Sequence, residues 1–579
     1  MSPPWQSPAP TLDHITASTA LPCSFTPSLM PNILCCLAGS AARAPSTWTG
    51  SFARLRLAAA ASSPVRRISS VGPSNGNLHA ITWTCAKPHH LTPGNIASSF
   101  PHLRPASPHN QVVPVILASP EFASWIDTST SRLADWVNPL LRCIYPSEPP
   151  AVVYTAAAVV DKIATQRNAN IVQNASSGVE GLSLLLVDAS EITTSAAQPV
   201  QLRGSSAAEP ALFFSTQTAS SEHFAFSEQG MHTSRQVGLR LANTVFVNGK
   251  DRTLLGMRWT YDATSNKYFL DNWKDLSVCE VNFVSGKARS SVNVPLHPVT
   301  RRRSVVSSMG NILRQLSNTT PSSTADPSDA IPASSELEKE LPKYVNELGI
   351  PHQRVAVWAL VEPLNSLLSQ TQHGQNNIEQ SIVNGSRIHR VVSGGGGWGK
   401  KQGLLSLDPE ISFRDESIHP LSLDQTLSTQ SSTAKSDEVP DISELSDLLG
   451  EGLEEKIASL SQVTPVGHGI QFLVATESEA GEKTADHQEY RNGHEVSCSF
   501  GVSSSVGSEL TIPQPALAQD TQTSVDSSEN VLVIPNHFGG MSETAISYSQ
   551  QTKSSASSED GQCQTKLSVP GSRVDLWLS

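Results

Sequence analysis

Apolar positions in this chain fall into short clusters, and the spacing inside each cluster predicts an element. From Val112 to Leu316 the pattern is that of a packed domain. The unbroken run Ala151 to Ile163 suits a buried helix, whereas Leu182 to Val187 and Ala211 to Phe214 suit buried strands. Val237 to Val247, Leu254 to Tyr261 and Val278 to Val284 have strand composition, and Asn248–Gly249 predicts a hairpin turn between the first two. Trp259, Tyr268 and Trp273 are expected to pack on that sheet. Ser304 to Leu316 reads as an amphipathic helix.

The polar stretch 317–335, rich in Ser, Thr and Pro, reads as a linker. Order returns with a helix from Glu336 to Leu348 capped by Ser334 or Ser335, and then a strand from Arg354 to Val361. A polar helix spans Asn376 to Asn384, and the strand Arg387 to Val392 follows it. This alternation predicts an α/β or α+β fold with a mixed-sheet core. The segments are 111–316, a first α/β domain, and 336–413, a second α/β segment.

Residues 414–579 are expected to be mostly disordered and acidic. Helical spacing interrupts them at 442–450 and 453–460, and strand composition at 470–474, 531–534 and 573–578. The last of these suggests a tail that returns to complete a sheet, with 415–440 and 535–565 as long surface insertions. The competing reading makes these short apolar runs linear binding motifs.

Net charge sharpens the division. Residues 1–110 hold seven Lys and Arg against the single acid Asp13, whereas 411–579 hold 8 basic and 25 acidic residues. The eight cysteines show no Cys-x-x-Cys pair, which argues against a zinc ribbon or a disulfide framework. No run of about 18 apolar residues is present to span a bilayer.

Arg54 and Arg56 alternate with Phe52, Leu55 and Leu57 in a leader rich in Ser and Ala, and Arg66-Arg67-Ile68-Ser69 follows. This leader resembles the presequence of a nuclear-encoded, imported mitochondrial protein, with Arg66 to Ser69 similar to a matrix-peptidase site. The resemblance implies a presequence over 1–68, a flexible stretch over 69–110 and a matrix location. Residues 1–29 read as an extension ahead of Met30. The long Ser/Thr/Gln segments within a compact scaffold resemble those of filamentous-fungal proteins.

The chemistry concentrates in one tract, Gly394, Gly395, Gly396, Gly397, Trp398, Gly399, Lys400 and Lys401. Its glycines expose backbone N–H groups, its lysines supply charge and Trp398 offers a stacking surface, as a candidate phosphate loop requires. The spacing fits Gly-x-x-x-x-Gly-Lys, but Lys401 stands where a Mg²⁺-binding Ser or Thr belongs. Gly403 and Pro409 also interrupt the helix such a loop needs, and the strand Leu184 to Asp188 lies upstream of it. The bland alternative is a tight crossover in which Trp398 fills the core over Leu404 and Leu405.

Arg301, Arg302, Arg303 and Arg314, beside Lys287 and Arg289, form a weak RNA-binding candidate. No Gly-x-Ser-x-Gly elbow occurs, and the histidines at 232, 297, 352, 373 and 389 lack metal-type spacing. Asp262, Asp271 and Asp275 are the remaining carboxylate cluster. The leading expectation is therefore a non-enzymatic mitochondrial matrix factor in organelle gene expression or complex assembly, binding RNA, ribosome or a partner protein. The alternative is an enzyme or sensor that holds a nucleotide or phosphometabolite on the Gly394–Lys401 loop, and a third reading is a scaffold that recruits partners through its acidic segments.

Overall fold

The run Val152–Val159 is a strand at the centre of a large mixed sheet, not the start of the helix expected over Ala151 to Ile163. It lies between Val112–Ala118 and Leu254–Asp262. Ala156 and Ala158 face one core and Ala157 the other. Small side chains allow close packing on both faces, and that tertiary gain overrides alanine's helix propensity.

The computed structural model describes residues 66–67, 79–85, 91–99, 111–166, 178–197, 211–219, 232–245, 249, 253–284, 288–318, 329–347, 349, 355–363, 378–394, 403–413, 420–428, 463–475, 495–504, 531–553 and 561–578. They belong to one compact unit, Ser63–Ser579. The class is α+β with a mixed-sheet core.

One face of the large sheet is covered by the helix Ser131–Ile144. Its Leu133, Trp136, Val137 and Leu140 pack against Trp83, Ile116 and Trp259, and the Trp136 indole donates to the Trp125 carbonyl at 3.0 Å. Tyr268 and Trp259 are buried there as expected, but Trp273 is exposed. On the other face sits a four-stranded sheet in the order Ala288–Asn293, Arg573–Leu578, Val496–Val502, His537–Ser542. Between the two sheets Phe214 stacks on Phe500 at 4.5 Å.

The remaining strands close into a small barrel. Arg303–Met309, Ile312–Ser317, Leu405–Leu407, Arg387–Gly394, Val357–Glu362 and Gly469–Ala475 pair antiparallel in that order, and the last pairs back to the first. Val305, Leu313, Leu316, Ala359, Leu407 and Phe472 fill it. Irregular pairing at Val305/Ser307 and Val391/Ser393 supplies the bends that closure requires.

Ser304 to Leu316, expected as a helix, is therefore a hairpin. Met309 pairs with Ile312 across a two-residue turn in which Gly310 has φ +63°. The hairpin expected at Asn248–Gly249 is also corrected. His232–Arg240 pairs with Ala211–Ala219 and Ile546–Lys553, whereas Leu254–Asp262 pairs with Val152–Val159 and Lys267–Val284.

The expected tail return is present, since Arg573–Leu578 lies inside the four-stranded sheet. The insertion expected over 535–565, however, carries the strands His537–Ser542, Ile546–Lys553 and Gly561–Leu567. Both segment boundaries are crossed: residues 303–317 join the barrel, and Ala330–Pro332 of the expected linker pairs with Ile312–Ser317. The helical runs 442–450 and 453–460 lie outside the described residues.

Candidate functional site

The barrel wall parts at Arg390. Up to that residue Arg387–Gly394 pairs with Val357–Glu362, the last pair being Trp358 with Arg390. Beyond it the strand turns to Leu405–Leu407, through Val391/Leu407 and Gly394/Leu405. Two strands that share a partner and then diverge leave a seam open to the barrel interior.

The helix Ser335–Glu347 lies beside this seam. Its start is held by the Ser335 hydroxyl, which donates to the Pro332 carbonyl at 2.6 Å, and by the Glu338 N–H, which donates to the Ser334 carbonyl at 2.8 Å. Leu337 reaches the barrel core, and Leu341 and Tyr344 pack against it.

A cleft of about 510 Å³ results. Leu337, Leu341, Pro342, Val357, Val391 and Leu405 form its apolar walls, and Ser334, Glu338, Arg390 and Ser393 supply polar groups. Val392 stands 57% exposed at its edge, an isolated apolar side chain where a strand would present a polar one.

The glycine tract leaves from this cleft. Gly394 has φ +151°, and a side chain there would collide with Leu405 and the Leu404 carbonyl. Gly403, where the chain returns, has φ +83° and would place a Cβ 2.8 Å from that of Pro332. Both ends therefore require glycine for reasons of architecture. Gly395, Gly396, Gly397, Trp398, Gly399, Lys400 and Lys401 lie outside the described residues.

What the ends establish is that the tract joins two antiparallel strands. A phosphate loop of the strand-loop-helix kind needs a helix N-terminus immediately after the lysine. Here the next described element, after Gly403, is the strand Leu405–Leu407. Asp188, the upstream acid, accepts from the Ser190 N–H at 3.0 Å and its hydroxyl at 2.8 Å.

The arginine run is divided between tasks. Arg302 lies 3.1 Å from Glu362, which is fully buried and also accepts from the Ser381 hydroxyl at 3.2 Å. Burial pushes the Glu362 carboxyl above its usual range, against the pull of Arg302. Arg303 pairs with Glu336 at 2.8 Å and donates to the Asn318 carbonyl. Arg301 and Arg314 remain exposed. Two of the four guanidinium charges are thus met by protein carboxylates, which lowers the charge available to phosphates.

The other sequence candidates do not converge. His297 stacks on Tyr344 at 5.4 Å. His389 is buried with Nδ1 2.8 Å from the Asp408 carbonyl, and burial pushes its pKa down to about 4. Asp262 caps its own turn through Thr264 and Ser265, which holds its carboxyl at about 2, while Asp271 lies 3.4 Å from Arg258. Among the described residues no group of three His, Cys, Asp or Glu could hold a metal ion, and no helix is long and apolar enough to cross a membrane.

Sequence reasoning missed the cleft, whose walls come from four separate stretches. It also missed a buried polar cluster of Ser499, His537, Arg573 and Asp575. The alternation Ser497-x-Ser499-x-Gly501 was its one available signal. No known family, curated protein or solved structure matches the chain.

Proposed function

We propose that this protein is a non-enzymatic binding factor that receives an apolar segment of a partner protein in the cleft between the Ser335–Glu347 helix and the parted barrel strands. The observation that carries this reading is the cleft itself, walled by Leu337, Leu341, Val357, Val391 and Leu405, with Val392 left exposed beside it. A partner side chain that enters it exchanges water contact for Leu337, Leu341 and Val391, the usual source of affinity at such sites. The leader's composition supports a place of work in the mitochondrial matrix, in organelle gene expression or complex assembly. Neutralisation of Arg302 and Arg303 favours a protein partner over RNA.

A second reading keeps the cleft and changes the occupant. Among the described residues Arg390 is the one cation lining it, and it lies near Gly394, which favours a nucleotide or other phosphorylated metabolite.

A photo-crosslinking residue at position 392 of the full chain, irradiated in mitochondria, tests both. Adducts with one or a few proteins are the expected result. Adducts with RNA, or none above those of a crosslinker placed at Thr260, would overturn the partner-protein reading.

A further inference from the structure

The two ends of the large sheet are finished differently. At one end the last strand, Gly561–Leu567, is closed against the barrel side of the molecule. The Ile388 N–H donates to the Thr565 hydroxyl at 2.9 Å, and the Lys566 ammonium lies 2.9 Å from Asp408. At the other end stands Val531–Pro535, whose inner edge pairs antiparallel with Ile81 to Cys85. Among the described residues its outer edge carries only Arg66–Arg67, which run parallel to it with Arg66 opposite Leu532 and Arg67 opposite Val533.

An edge strand presents a row of unpaired N–H and C=O groups, and chains ordinarily blunt such a strand with lysine, an interior proline or a bulge. Val531 to Ile534 has none of these. Its four residues are apolar, three of them β-branched, and the one proline stands at the strand's end. Val533 and Ile534 are buried, and Val531 and Leu532 are half-buried. This is the composition of a strand inside a sheet, placed where the sheet stops.

The cap is also shorter than the strand it covers. Two residues meet five, so pairing stops at Leu532 and Val533 and leaves Val531 and Ile534 outside it. An incoming segment of four or five extended residues repeats the contacts of the cap and adds main-chain hydrogen bonds at both ends. The cap belongs, moreover, to the leader. Arg66 and Arg67 open the stretch that is similar to a matrix-peptidase site, and on that resemblance a cut ahead of Ser69 removes both cap residues and opens the edge.

We propose that the outer edge of Val531–Pro535 is a docking surface for an extended segment of a partner protein, which adds there as a parallel strand in place of Arg66–Arg67. Main-chain hydrogen bonds supply the attachment, and alternate side chains of the incoming strand extend the two faces of the sheet. The edge shares no residue with the cleft, so the chain has two separate places to hold protein.

Hydrogen exchange of the full chain, read by mass spectrometry over 531–535, tests this with the double variant Arg66→Pro, Arg67→Pro, whose prolines cannot donate to the ladder. The variant is expected to exchange at least tenfold faster than wild type over 531–535, with 79–85 unchanged as the control for folding. A synthetic peptide of residues 60–72 is expected to restore slow exchange in the variant saturably, whereas the same peptide with proline at 66 and 67 leaves it fast. Equal exchange in wild type and variant would show that nothing caps this edge. Exchange that stays fast with the peptide in excess would show that the edge accepts no strand. Either result would overturn the proposal, as would a wild-type dimer that the double variant dissociates, which would give the edge to the leader of a second copy.

Discussion

The barrel and the four-stranded sheet both enclose side chains, and they do so by opposite means. In the barrel, Val305, Leu313, Leu316 and Phe472 face one another across a closed ring of hydrogen-bonded strands, and stability follows the apolar area removed from water. On the hidden face of the sheet, Arg573, Asp575 and Ser499 are held by mutual hydrogen bonds, and stability depends on every partner being present. An apolar interior tolerates a change of shape. A paired polar interior tolerates loss of the pair better than loss of half of it.

The largest predicted effect follows from this contrast. Arg573→Met leaves Asp575 buried without its counter-charge and is expected to cost about 3–5 kcal/mol in urea unfolding. Adding Asp575→Leu is expected to restore most of that loss, since the uncompensated charge disappears with its partner. Equal destabilisation in the single and double variants would mean that the face is held by the area its side chains bury, as the barrel is.

The same contrast explains what could be read from the residues. Continuous apolar runs such as Leu184 to Val187 and Ala211 to Phe214 are strands, because burial on both faces accommodates them. The alanine-rich run 151–163 reads as a helix because helix propensity is local, whereas strands on both sides decide its state. Residues 304–316 carry apolar side chains at a spacing that suits one helical face and also two strands of a hairpin. The turn at Gly310–Asn311 was the signal that separated them. Neither site was legible. Serines at 497 and 499 read as a solvated face until His537 and Arg573 arrive from strands 38 and 74 residues later, and the cleft is assembled from equally distant pieces.

A smaller effect tests how the polar face is closed. Asp161 accepts the Glu543 N–H at 2.7 Å, beside the point where Lys162 pairs with Met541 and forms an ion pair with Glu180. Burial first, and then the Glu543 carboxylate, raise the Asp161 pKa to about 6, with the Glu543 N–H and Lys162 opposing. The folded chain therefore holds a proton that the unfolded chain gives up. The associated stability is complete below about pH 4 and is lost as pH rises through about 6. Asp161→Asn keeps an acceptor for the Glu543 N–H and removes the charge. It is expected to flatten the stability profile between those pH values and to gain roughly 1–2 kcal/mol at pH 7, the group's partial exposure discounted. A variant that keeps the wild-type slope would assign the titration to another group.

The smallest effect on stability should be the largest on association. Val392 is 57% exposed, so Val392→Asp removes little buried area and is expected to change unfolding by less than about 0.5 kcal/mol. At the edge of the cleft, however, the new carboxylate stands where a partner's apolar segment must pass, and an unpaired charge buried in an interface opposes binding strongly. Retained folding with lost partner recovery from mitochondria is the expected outcome. The barrel interior is filled by its own side chains, so binding at the seam can be removed without touching the fold. If Val392→Asp keeps its partners, the seam is a packing irregularity closed by the helix, and the partner's contact lies elsewhere on the chain.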